Sequence, residues 1–157
     1  MMLQLAQMEL ASPRLIRLDF EDLTAFERVN DQYRQMGIRF SGAIAIEPSN
    51  PEFTAKSGST VLIPMGNLMS LSAYFDKPSC WAGAFVCSTR IVVLTAYDRE
   101  GNFLGQTSTV ANQPSLPDGQ SESLPQQLEL NRHGIAKVEF HSYVPFTVDD
   151  FFFALMP

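Results

Sequence analysis

Hydrophobic and polar positions in this chain alternate in short runs and rarely follow a helical period. Residues 14–20 put Ile16, Leu18 and Phe20 on one side and Leu15, Arg17 and Asp19 on the other, the signature of a half-buried strand. That strand ends at an acidic corner, Glu21-Asp22. Residues 23–36 are polar, and Thr24 is placed to cap a short helical turn. Strands follow at 37–40 and 43–46, then a loop over 47–59 rich in Pro, Ser and Gly. Residues 61–65 read as a short strand whose Pro64 marks an edge or a strand end. Strands at 68–75, 81–87 and 91–97 come next, with a turn at Asp76-Lys77-Pro78-Ser79. Asp98-Arg99-Glu100-Gly101 is a hairpin turn with Gly where a positive φ is needed, and 103–110 is the returning strand. A polar, Pro-rich loop over 111–125 leads to strands at 127–130, 135–140 and 146–155. About nine or ten short strands, without an amphipathic helix of ten residues, predict an all-β antiparallel sandwich.

The last strand carries the main anomaly. Asp149 and Asp150 stand together inside Thr147-Val148-Asp149-Asp150-Phe151-Phe152-Phe153, a run that otherwise reads as core. Period-two alternation turns Asp149 to the side of Phe151 and Phe153, and Asp150 to the side of Val148 and Phe152. Burying a bare carboxylate there is costly. Hydrogen-bond donors, a cation or a raised pKa would each relieve it.

Length and composition narrow the class. The 157 residues, 45% hydrophobic and 18% charged, suit one globular β-sandwich domain with its core over about 14–156, and not a disordered chain. A net charge of −6 with a pI near 4.8 argues against nucleic-acid binding, which needs a basic face. No apolar run reaches the length of a membrane span. Residues 1–11 lack a cationic start and are broken by Glu9, so they make a poor signal peptide. Cys80 and Cys87 fall on one extended segment too far apart to bridge, and two free thiols suit a reducing compartment. Together these lean toward the cytoplasm unless a leader has been removed.

The order of several short motifs resembles a known family. Asp19-Phe20-Glu21 ends the first strand, and Asp31-Gln32-Tyr33 leads to Gly37-Ile38-Arg39-Phe40-Ser41-Gly42. Residues 94–105 (LTAYDREGNFLG) and 134–140 (GIAKVEF) follow, and Phe146-Thr147-Val148-Asp149-Asp150-Phe151 closes the set. Over residues 15–155 this is similar to the galactose-binding-like jelly-roll sandwich of carbohydrate-binding modules and of uncharacterised bacterial exported proteins of the PEP-CTERM type. The resemblance implies two antiparallel sheets in jelly-roll order. It also implies a structural calcium ion held by Glu21 and Asp149, joining the first and last strands. Asp22 and Asp150 would assist, and loop 47–59 would lend backbone oxygens, since calcium takes six to eight oxygen ligands.

A sugar site needs aromatic platforms and a few polar groups. Trp81, Tyr97 and Tyr143 are the candidates, with core packing as the plain alternative for each. His133 and His141 have no partner at zinc-ligand spacing. Glycosidase chemistry needs two carboxylates across a cleft, which adjacent aspartates on opposite faces do not supply. The expectation is a non-catalytic binding module for carbohydrate, with a protein-interaction or assembly domain as the alternative.

Overall fold

The computed structural model describes residues 12–49, 55–67, 69–110 and 124–156. The start of the chain at 1–11 and most of the loop expected over 111–125 lie outside them. Ten strands are described: β1 (Arg14–Leu18), β2 (Arg28–Val29), β3 (Ile38–Ser41), β4 (Ala43–Ile46), β5 (Val61–Pro64), β6 (Ser70–Ser88), β7 (Val93–Tyr97), β8 (Phe103–Ser108), β9 (Gln126–His141) and β10 (Phe146–Leu155). The helical turn expected after Thr24 is instead a tight turn. The Glu27 N–H donates to the Thr24 carbonyl, the Thr24 N–H donates to the Glu27 carboxylate, and β2 follows. A single 3-10 turn, Arg34–Met36, is the helical element among the described residues.

Every ladder is antiparallel. The strand order is β2-β4-β5-β10-β6-β9-β7-β8, with β1 also on β10 and β3 also on β6. β5 therefore lies between β4 and β10, and Pro64 stands at its end, where a missing N–H is tolerated. The turn expected at 76–79 is absent. β6 runs straight through it, and the strands expected at 127–130 and 135–140 are likewise one strand, β9. The β6–β9 ladder shifts register between Tyr74 and Ser79 and again between Ser79 and Trp81. Pro78 falls in this bulged stretch.

Those bulges make the two layers. Residues 72–75 of β6 pair with β3, and 137–141 of β9 pair with β7. Beyond the bulge, 82–88 of β6 pair with β10. Long strands that bend at bulges pass from one sheet of a sandwich to the other. The core fills the gap between. The Phe151 ring, on β10, meets Phe40 at 5.5 Å, Phe140 at 6.2 Å and Phe75 at 6.3 Å, all on strands of the facing layer. Ile38, Leu71, Ala73, Leu94 and Val138 point inward beside them. Their strand neighbours Arg39, Tyr74, Tyr97 and Lys137 therefore face out.

Candidate functional site

Two places gather polar chemistry: an acidic latch over β10, and the outer face of the β3–β6–β9–β7–β8 layer.

At the latch, both aspartates are buried, with 3% and 4% exposure for Asp149 and Asp150. They do not face opposite ways. Asp150 has a φ of 48°, and the β10–β6 register shifts between Asp149 and Phe152. A left-handed residue at a bulge breaks the alternation, and Asp is among the residues that adopt that conformation. Ser57 consequently reaches both carboxylates. Its N–H donates to Oδ2 of Asp149 at 3.0 Å, and its hydroxyl donates to Oδ1 of Asp150 at 2.7 Å. Arg17, on β1, donates to the same Oδ1 at 2.9 Å, and the Asp150 N–H donates to Oδ1 of Asp149 at 2.8 Å. Glu21 closes the loop from the other side, accepting the N–H groups of Ser59 at 2.6 Å and Thr60 at 3.0 Å. Burial pushes the Asp149 carboxyl up to about 6, against the pull of the Ser57 and Asp150 N–H groups.

The cost of burying these acids is thus met by donors, one guanidinium and a raised pKa. Calcium would need the same carboxylates to turn oxygens onto one point. Among the described residues, Ser57 and Ser59 of the loop and Thr60 after it aim N–H groups at these carboxylates where carbonyl oxygens were expected, and Arg17 brings its own positive charge to Asp150. Asp22 faces elsewhere and accepts the Tyr33 hydroxyl at 2.6 Å. Among the described residues, no three acidic, histidine or cysteine side chains converge. As arranged, this donor set does not fit the ion.

The outer face is built by register. Arg39 pairs with Tyr74, Tyr74 with Lys137, and Lys137 with Tyr97, one residue from each of β3, β6, β9 and β7. Cations and tyrosines therefore alternate across the sheet. The Lys137 ammonium lies 5.4 Å from the ring centres of both Tyr74 and Tyr97, and the Arg39 guanidinium 5.9 Å from Tyr74. Arg99 joins them from the β7–β8 hairpin, anchored by a 2.8 Å bond to the Asp76 carbonyl. The next row holds Ser72, Glu139, Thr95 and Gln106, with Gln106 donating to Thr95 at 3.1 Å. The following row reaches Val93 and His141, beside a cleft of about 700 Å³ that Tyr143, Ile91 and Arg90 also line.

The three aromatics expected from sequence separate accordingly. Tyr97 sits half-buried in the cation–tyrosine row. Tyr143 is 87% exposed and meets the His141 ring edge-on at 5.3 Å. Trp81 belongs to the other layer, stacked on Phe152 at 4.4 Å with its indole N–H donated to Glu129 at 2.7 Å. Tyr74, Lys137, Arg39 and Arg99 were not foreseen. Strand registers bring Tyr74, Lys137 and Arg39 together, and the β7–β8 hairpin adds Arg99.

No protein-family model matches the sequence, and no curated protein shows significant sequence similarity to it. Solved structures do resemble the fold. The K2 cleaved adhesin domain of Lys-gingipain superposes with a TM-score of 0.59 at 11% identity, covering 88% of this chain and 97% of that one. A DUF4465 family protein from Bacteroides caccae gives 0.57 at 12% identity, covering 89% and 98%. The K1 cleaved adhesin domain of Lys-gingipain from Porphyromonas gingivalis gives 0.55 at 12% identity, covering 92% and 99%. At such low identity the likeness bears on architecture alone, and that architecture is the antiparallel β-sandwich that the strand pattern predicts, in the jelly-roll order that the resemblance implies.

Proposed function

We propose that this protein is a non-catalytic binding module for carbohydrate, and that the outer face of the β3–β6–β9–β7–β8 layer is its site. The observation that carries this reading is the row Arg39–Tyr74–Lys137–Tyr97. Sugars have apolar CH faces and a rim of hydroxyls, so they call for aromatic surface beside hydrogen-bonding groups held at fixed spacing. Tyr74 and Tyr97 supply the first. Lys137, Glu139 and Gln106 supply the second, and all stand on sheet strands that fix their spacing. The face extends from Lys137 to His141, about 13 Å at the rise of a strand, and so accommodates a chain of two or three sugars.

A glycan array probed with the full chain tests this reading. Tyr97→Ala and Tyr74→Ala should each weaken binding roughly tenfold, the scale of one lost stacking contact. Trp81→Ala should leave it unchanged. Loss with Trp81→Ala alone would move the site to the other layer. No glycan binding at all would overturn the reading.

A further inference from the structure

We propose that the cleft at the Tyr74–Tyr97 end of this face takes a carboxylate-bearing sugar, a uronate unit of an acidic glycan. This inference rests on the carbohydrate reading above and narrows its ligand class. The cleft encloses about 480 Å³, and Arg39, Arg99 and Lys137 all line it, together with Tyr74 and Tyr97. Three cations in one cleft run against the balance of the chain as a whole, which carries 17 acidic residues to 11 Lys and Arg.

The two acidic residues nearby, Asp98 and Glu139, offset part of that charge but leave three cations against two carboxylates. Asp98, which also lines the cleft, accepts the N–H groups of Glu100 at 3.0 Å and Asn102 at 2.8 Å, and the Asn102 amide at 3.1 Å. Its carboxylate therefore serves its own hairpin. Glu139 forms an ion pair with the Lys137 ammonium at 3.8 Å, too long for a hydrogen bond, so it offsets part of that charge without occupying the ammonium's donors. Lys137 is held between two rings, which positions the ammonium without giving it an acceptor.

A uronate fits these features together. Its ring has a CH face for Tyr97 or Tyr74, and its carboxylate accepts charge-assisted hydrogen bonds from an ammonium and from guanidinium forks. A neutral sugar laid on the same rings would desolvate three cations without offering a counter-charge.

The test compares trigalacturonate with its methyl ester, a neutral molecule of nearly the same shape, by titration calorimetry on the full chain. The acid should bind at least roughly tenfold tighter than the ester. That preference should shrink as salt rises from about 50 to about 500 mM, because exposed charges are screened. Lys137→Met and Arg39→Gln should each bring the acid toward the affinity of the ester. Arg99→Gln, on an exposed turn, serves the same purpose where Lys137→Met disturbs folding as judged by circular dichroism. Arg14→Gln, on β1 and outside this face, should change nothing. Equal binding of acid and ester overturns the acidic inference and leaves the carbohydrate reading standing. Acid binding that ignores Lys137, Arg39 and Arg99 also overturns it. Failure of both probes, with no hit on the glycan array, overturns both.

Discussion

The Ser57 N–H donates to Oδ2 of Asp149 at 3.0 Å, tying a loop to a strand 92 residues further along the chain. The Ser57 hydroxyl bonds to Asp150, and the neighbouring Ser59 and Thr60 bind Glu21. Four short contacts thus join the acidic corner after β1 to the middle of β10.

The Asp149 carboxyl sets the pH response of this latch. Its folded pKa of about 6 lies above the ordinary 3.8, so between those values the folded state holds a proton that the unfolded state has released. Its contribution to stability is present below about pH 4 and is lost as pH rises through 6. The melting temperature, corrected for other groups with an Asp149→Ala variant, should fall over that window. Excess EDTA at neutral pH should leave the melting temperature unchanged. A bound calcium ion would reverse the sign, because it holds carboxylates ionised. A rise with calcium and a fall with EDTA would show that the latch rearranges around the ion which the family resemblance implies.

Gly58 sits at the centre of the same contacts with a φ of +58°, and a Cβ there would overlap the Glu21 carboxylate. Gly58→Ala therefore combines backbone strain with a clash, and should cost about 1–3 kcal/mol by urea denaturation. Glu21→Ala alone should cost about 1 kcal/mol, through the lost acceptor for Ser59 and Thr60. The double variant should be more stable than the sum of the two predicts, since the clash and its partner leave together. Strict additivity would show that Glu21 does not press on Gly58.

Much of the layered fold was legible from alternation, because β1 and the apolar half of β10 bury one face or both. The continuity of β6 was not. Asp76-Lys77-Pro78-Ser79 has turn composition, and its extended path is imposed by pairing with β9 on either side of a bulge. The direction of Asp150 was hidden for a related reason: period-two reasoning assumes an unbroken strand, and one left-handed residue reverses its result. Tyr97 could be singled out as a tyrosine at the end of an apolar strand, next to a hairpin turn. Arg39, Tyr74 and Lys137 could not, since nothing local distinguishes them, and their row exists only once three registers are set.

Trp81 is the sole tryptophan, so its stacking on Phe152 can be read by fluorescence. Phe152→Ala should shift Trp81 emission to longer wavelength as water replaces the ring. It should cost about 3 kcal/mol, the low end for a phenylalanine truncation, because this contact lies on an outer face. Gly83 lies beneath the stack. A Cβ there would press on the Phe152 ring at 2.7 Å and collide with the Leu128 carbonyl. Gly83→Ala should therefore cost about 1–3 kcal/mol, the usual range for overpacking. The two glycines differ in what can yield. At Gly58 the obstacle is a side chain, and shortening it restores stability. At Gly83 a backbone carbonyl of β9 remains in place, so Phe152→Ala should not rescue Gly83→Ala. Full rescue in the double variant would mean that the β6–β9 ladder gives way there more readily than the Phe152 ring does.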